Sequence, residues 1–499
     1  MAHETDEAVA RGAALVLNAV SIGVVIHWML VVGIGVRVIN KRPQPGVALA
    51  WLFLVALVPY AGALIYLLIG ERRIDPARER EMITLHRGYR RLFGPEKVHG
   101  PVEGEAIHED PTTRRLDALG GNLAGSHAVG GNAYQLFDNT ETVLHRIASE
   151  VDAAKTSVVM VFYIWGEGGA ADAVTEAIVR AAKRGVSCRL LIDALGARPW
   201  WRSRVPSRLR AAGVEVRAAL PAGLIRSFVG RTDLRLHRKI VVIDGTIAWT
   251  GSMNMVDPRY FKTDAGVGEW IDAMVRLEGP AVAPLAATAI ADWRLETGEP
   301  VVKLVQSAGL HLNAPVGTVD MQVIPSGPGI SGDGLLQMMI ALIDSARERL
   351  VLTTPYFVPD VSLLRALARA TGRGVEVGIV VPERVDSVLA RYAARSYYDD
   401  LLGSGIAVHL YRGGLLHTKS ITIDRARAMF GTANFDMRSL WLNYEVTLFV
   451  YDAGFAGELA DLQDSYIRDS DRLDPERWAR RRPSERFTEN AARLISPLL

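Results

Sequence analysis

Two stretches near the start of the chain, Gly12–Val36 and Gly46–Gly70, each run 25 residues without a Lys, Arg, Asp or Glu. About 20 apolar residues suffice to cross a bilayer core, so both are expected to be transmembrane helices behind a short tail, residues 1–11. A signal peptide or a pair of buried core helices shares this pattern. The leader is a poor signal-peptide start, however, because Glu4, Asp6 and Glu7 precede Arg11 and a second apolar stretch follows at once. Asn40-Lys41-Arg42-Pro43-Gln44-Pro45 predicts a tight turn that returns the chain to the side it came from. Arg37, Lys41 and Arg42 sit at that turn, while Arg72, Arg73, Arg78 and Arg80 follow the second stretch. The excess after the second span favours a cytoplasmic main body.

Residues 71–132 read as a linker, charged and helical over Pro76–Leu92, then rich in Gly, Pro and polar residues from Pro95. The helical part fits a solvated connector or an amphipathic helix on a lipid surface. Beyond it, β-rich apolar runs alternate with helical patterns. Val158–Ile164, Cys188–Ile192, Ile240–Ile243, Leu350–Thr354, Val375–Val381 and Ser420–Ile423 are the clearest predicted strands. Strands alternating with helices imply α/β sandwiches, one in residues 133–305 and one in 318–499.

These two regions are internal repeats. His237-Arg238-Lys239, Asp244 and Gly251-Ser252-Met253-Asn254 return at the same spacing as His417-Thr418-Lys419, Asp424 and Gly431-Thr432-Ala433-Asn434. One H-x-K-x4-D arises by chance; two copies, each extended by G-[ST]-x-N, do not. Val161-Phe162-Tyr163-Ile164 aligns with Pro355-Tyr356-Phe357-Val358, and Arg184-Gly185-Val186 with Arg373-Gly374-Val375. The offsets near 190 exceed the 180 between the two histidines, which places about twelve extra residues, Leu220–Arg231, before the first motif.

On an extended strand His237 and Lys239 share a face, as do His417 and Lys419, so imidazole and ammonium can converge on one anion. Asp244 and Asp424 complete the motif and count with these four as the catalytic set. Their parity is opposite, and Asp244-Gly245 is a hairpin signal, so Asp244 is expected on geometry to hold the turn. Ser252, Asn254, Thr432 and Asn434 supply hydroxyls and amides suited to binding phosphate. A histidine from each repeat would give one nucleophile and one acid/base, because one imidazole cannot attack phosphorus and protonate the group leaving opposite. Asp272 lies 35 residues after His237 and Glu445 28 after His417, both in apolar strand-like surroundings. A lone carboxylate there is costly, so each is expected to pair with a histidine and fix its tautomer.

Composition narrows the field. A net charge of +2 argues against nucleic-acid binding by bulk positive potential, and the single Cys188 rules out an internal disulfide. The motifs contain no metal-ligand cluster, so no metal or other cofactor is expected. Arg198-Pro199-Trp200-Trp201-Arg202, the extra segment, and Arg477, Trp478, Arg480, Arg481, Arg482, Arg486 and Phe487 could meet a lipid headgroup layer or form ordinary surface. His27, inside the first span, is read as a packing residue, although a polar group in a membrane span is often functional.

The duplicated motif resembles that of the phospholipase D superfamily. The two apolar stretches, Gly251-Ser252-Met253-Asn254-Met255-Val256-Asp257-Pro258-Arg259-Tyr260-Phe261, Thr354-Pro355-Tyr356-Phe357-Val358-Pro359 and Asn434-Phe435-Asp436-Met437-Arg438-Ser439-Leu440-Trp441-Leu442-Asn443 further resemble bacterial cardiolipin synthases. That resemblance implies metal-independent phosphatidyl transfer between two phosphatidylglycerol molecules at the cytoplasmic membrane, giving cardiolipin and glycerol. It implies His237 as nucleophile, His417 as acid and then base, and Lys239, Lys419, Asn254 and Asn434 as phosphate ligands. A membrane-bound phospholipase D hydrolase and a different phosphatidyltransferase are the competing readings.

Overall fold

The structure is a computed structural model that describes residues 2–43, 45–70, 76–93, 110–221, 234–330 and 332–495. It holds two compact units, one within Met1–Asp75 and one built from Pro76–Pro221 together with Asp233–Leu499. Most of the extra segment Leu220–Arg231 lies outside the described residues.

In the first unit the expected span Gly12–Val36 lies within one helix, Ala2–Lys41, of which Val20–Lys41 is long and apolar enough to cross a membrane. The second expected span is corrected. Gly46–Gly70 forms two shorter helices, Pro45–Leu57 and Ala61–Ile69, separated at Val58-Pro59-Tyr60. Pro59 has no N–H to continue the ladder and disfavours helix at Val58, and Tyr60 takes φ 58°. At roughly 1.5 Å per residue neither piece spans a hydrocarbon core by itself. His27 bonds the Ala56 carbonyl through Nε2 at 3.1 Å, so this histidine ties the first helix to the second.

Among its described residues the second unit holds one sheet of sixteen strands, with helices on both faces, and two further sheets of two strands each. The first repeat supplies β1 (Val129–Phe137), β2 (Ser157–Phe162), β3 (Ser187–Asp193), β4 (Glu215–Ala219), β5 (Arg235–Leu236), β6 (Ile240–Ile243), β7 (Ile247–Gly251), β8 (Trp270–Ile271) and β9 (Met274–Glu278). The second supplies β10 (Val319–Ser326), β11 (Arg349–Thr353), β12 (Phe357–Val358), β13 (Glu376–Pro382), β14 (Ala407–Tyr411), β15 (Leu415–Leu416), β16 (Ser420–Ile423), β17 (Arg427–Gly431), β18 (Phe435–Asp436), β19 (Asn443–Val450) and β20 (Ser470–Arg472). From β14 the order runs β13-β11-β16-β17-β19-β10, then β1-β9-β7-β6-β2-β3-β4. That order reads the same from either end, and the antiparallel pair β1–β10 joins the repeats at the middle.

Alternation along the strands explains the layers. Val158, Met160, Leu190 and Ile192 pack with the helices Thr140–Ala153 and Ala170–Lys183. Val159, Val161, Leu191 and Val242, on the other face, pack against Val282–Thr297. The predicted strands are all present to within two residues at either end. The predicted linker is corrected over its last part. Helix Pro111–Ala124, capped by Asp110, packs into the second repeat's core through Leu116 and Ala124, and β1 begins at Val129.

The repeat alignment is also corrected. Ser157 and Arg349 occupy the same position, each giving its N–H to the motif aspartate, Asp244 or Asp424. The pairs Trp165–Met255 and Phe357–Phe435 each fall one residue after the motif asparagine. Ile164 therefore corresponds to Tyr356, two places from the sequence alignment.

Candidate active site

Two short parallel pairings bring the motifs together. β5 pairs with β19, setting Arg235 beside Asn443 and Leu236 beside Tyr444. β15 pairs with β8, setting Leu415 beside Trp270 and Leu416 beside Ile271. The next residue in each case is a histidine facing a carboxylate of the other repeat. His237 Nδ1 lies 2.9 Å from both Glu445 oxygens, and His417 Nδ1 lies 2.7 Å from Asp272 Oδ1. Asp272 and Glu445 thus pair with histidines, but across the repeats rather than within them. An Nδ1–H donated to carboxylate fixes the tautomer and leaves each Nε2 lone pair for the pocket.

Hydroxyls hold the carboxylates in turn. Ser252 Oγ donates to Asp272 at 2.5 Å and accepts from the Ala273 N–H; Thr432 Oγ1 donates to Glu445 at 2.6 Å and accepts from the Val446 N–H. Ser252 and Thr432, expected as phosphate ligands, are corrected to carboxylate supports because their hydrogens are already committed. The motif glycines permit this closeness: a Cβ at Gly251 would stand 2.4 Å from the Ala273 carbonyl, and one at Gly431 2.5 Å from that of Val446.

Lys239 and Lys419 are wholly buried, each ammonium bonded to the carbonyl of the histidine two residues before it. Asn254 accepts from the Ile164 N–H at 3.2 Å, and its Nδ2 has no partner although buried. Asn434 has a buried Oδ1 without a partner. Both asparagines and both histidines line one pocket of about 750 Å³. The unpartnered amides there are suited to a ligand carrying both donors and acceptors.

Asp244 and Asp424 are corrected from the catalytic set to the scaffold. Asp244, at φ 52°, accepts from the N–H groups of Lys155, Thr156 and Ser157; Asp424, also at φ 52°, accepts from those of Arg347, Glu348 and Arg349. Each clamps the start of a central strand, on the side that parity dictates.

Burial pushes both imidazoles down to about 4, against the pull of their carboxylates. It likewise pushes Lys239 down to about 8 and Lys419 well below its usual range. Asp272 and Glu445 are pushed up by burial, but the facing histidine and its hydrogen bond outweigh this and hold them below the usual carboxylate range. Burial thus favours the uncharged imidazole while the pairing favours the ionised carboxylate, and a phosphate bound at Nε2 would favour the imidazolium.

Sequence reasoning missed Arg238, in the motif's variable position. It is buried, ion-paired to Asp292 and donates from Nε to the Glu445 carbonyl at 2.9 Å, tying the strand behind Glu445 to helix Val282–Thr297. It also missed Tyr163 and Trp270, whose rings lie 4.9 Å from His237 and 4.4 Å from His417. Trp200, read as a candidate headgroup anchor, is instead core, packed 5.9 Å from Trp165. Of the C-terminal set, Trp478 is buried and Arg481 stacks on it at 3.9 Å while pairing with Asp399 and Glu489; Phe487 is exposed.

Residues 147–271 and 339–466 match the family model described as cardiolipin synthase, phospholipase D-like domain. Cardiolipin synthase A of Yersinia pseudotuberculosis serotype IB is 41% identical over 473 residues, covering 95% of this chain and 97% of that one. The chain belongs to the cardiolipin synthase family. Its Yersinia pestis relative, cardiolipin synthase A, has the same identity and coverage. Residues 24–71 match a second model, the phospholipase D-nuclease N-terminal region. A phosphatidylserine synthase structure from Haemophilus influenzae shares the fold, with TM-score 0.58 and 15% identity over 78% of this chain and 100% of that chain. Within the cardiolipin synthase family the chain is a membrane-associated enzyme with tandem phospholipase D-like domains.

Proposed function

We propose that the chain transfers a phosphatidyl group from one phosphatidylglycerol to another, releasing glycerol and forming cardiolipin. The observation that carries this reading is the crossed pair of histidine–carboxylate contacts in one pocket, within a chain similar over nearly its full length to cardiolipin synthases.

His237 Nε2 attacks the donor phosphorus, and the bond from phosphorus to the glycerol oxygen breaks. His417, protonated when the anionic headgroup binds, gives its proton to that oxygen, and glycerol leaves. A phosphatidyl-histidine remains, with Glu445 stabilising the positive ring. His417, now neutral, takes the proton from the primary hydroxyl of a second phosphatidylglycerol; that oxygen attacks phosphorus and the bond to His237 breaks. Lys239, Lys419 and the Asn254 amide N–H stabilise the charge that develops on phosphorus oxygens.

In this reading the first helix crosses the cytoplasmic membrane, the broken second stretch returns the chain to the same side, and the arginines after it keep the catalytic unit in the cytoplasm. The test is turnover of phosphatidylglycerol vesicles by purified full-length protein, with lipid products resolved by mass. His237→Ala and His417→Ala are each expected to lower turnover by at least roughly 10³ while the fold survives. Near-normal turnover by either would count against a shared site.

A further inference from the structure

The two histidines face the pocket with different company. Beside His237 stands the Tyr163 ring. Beside His417 stands Trp270, and the Lys262 ammonium lies over the Trp270 ring at 5.4 Å. Lys262 Nζ donates to Asp386 Oδ2 at 2.9 Å, and the Tyr356 hydroxyl donates to Asp386 Oδ1 at 2.5 Å. All of these line the same pocket, and the Asp386 side chain is only 8% exposed.

The two sides differ at Tyr356, whose position in the first repeat is held by Ile164, a residue with no hydroxyl to give to a carboxylate. The asymmetry matters because an in-line displacement places the leaving group opposite the nucleophile. With His237 attacking, glycerol departs on the His417 side, and the glycerol of the second phosphatidylglycerol must enter by the same side. One subsite therefore meets the same polyol twice, each time with a hydroxyl on the carbon adjacent to the one that bears the reacting oxygen.

Asp386 suits that hydroxyl. Two carboxylate oxygens offer about four lone pairs, of which Lys262 and Tyr356 occupy two. Burial pushes the group up, but the hydrogen bond from Tyr356 and the ammonium of Lys262 outweigh it and keep the carboxyl below its usual range, hence an acceptor. We infer that Asp386, positioned by Lys262 and Tyr356, accepts a hydrogen bond from the hydroxyl adjacent to the reacting oxygen and selects headgroups that are vicinal diols. The inference rests on the phosphatidyl-transfer reading above.

The test offers the full-length enzyme, in phosphatidylglycerol vesicles, equal concentrations of deuterated glycerol and propanol, which lacks the adjacent hydroxyl. Mass resolves labelled phosphatidylglycerol from phosphatidylpropanol formed in the same tube. A site built to bind a hydroxyl rejects the analogue without it, so wild type is expected to favour glycerol by at least about tenfold. Asp386→Ala should bring the ratio to within about threefold, and Tyr356→Phe and Lys262→Met, which keep the carboxylate, should each lower it in part. Should Asp386→Ala fail to fold, these two variants carry the test. A ratio that stays at the wild-type value in all folded variants, with both products falling together, would overturn the inference and leave Asp386 a structural group. Phosphatidic acid as the sole wild-type product would defeat the transfer reading itself.

Discussion

His237 donates from Nδ1 to Glu445, a residue 208 positions away in the other repeat, and His417 makes the matching contact with Asp272, 145 positions away. Neither repeat holds a complete histidine–carboxylate pair. The crossing follows from β5 pairing with β19 and β15 with β8, so the site exists only where both repeats are folded together.

The crossing assigns each carboxylate to one chemical step. Glu445→Gln weakens His237, the nucleophile, so little labelled phosphatidyl group should reach the protein. Asp272→Asn weakens His417, the base of the second step, so label should accumulate on His237 even though its formation is also slowed. Both should lower turnover by roughly 10²–10⁴. Protein given radiolabelled phosphatidylglycerol and quenched in alkaline denaturant, which preserves a phosphorus–nitrogen bond, checks this; label retained in Glu445→Gln and absent in Asp272→Asn would reverse the assignment.

Asp244 should behave as scaffold. Asp244→Ala removes the acceptor of the Thr156 and Ser157 N–H groups, of which Ser157 is buried, for a loss of roughly 1–3 kcal/mol in unfolding free energy. Denaturant titration measures it, together with turnover per folded molecule. A variant as stable as wild type but inactive would return Asp244 to the chemistry.

The buried histidines make stability depend on pH. Their folded pKa of about 4 lies below the ordinary value of about 6.5, so between these the unfolded chain binds more protons and stability falls as pH falls. The depressed carboxylates add to the loss at still lower pH. The melting temperature should therefore drop from pH 7 to pH ~5, and His237→Gln with His417→Gln should flatten that slope. An equal slope in the double variant would place the titration elsewhere.

Much of this was legible in the chain. The motif spacing picked out His237, Lys239, His417 and Lys419, and strand parity put Asp244 away from the pocket. Periodicity located the strands because Val158–Phe162 and its neighbours alternate between two buried faces. The crossing was not legible, since β5 and β15 are two residues long and pair with strands of the other repeat. Helix Pro111–Ala124 was obscured by Gly120-Gly121, which are small because Gln322 and His127 press against them. Asp110-Pro111 was its available signal, a capping residue before a proline in the first turn. Pro59 was likewise present to warn that the second apolar stretch would break.

The central claim is phosphatidyl transfer through His237, and the distribution of products tests it most directly. Full-length enzyme given phosphatidylglycerol labelled in both its headgroup and its acyl chains, at high lipid density, should release glycerol and cardiolipin in equal amounts, with phosphatidic acid a minor product. Phosphatidic acid as the dominant product under those conditions, where the acceptor is plentiful, would contradict the account and make water the acceptor.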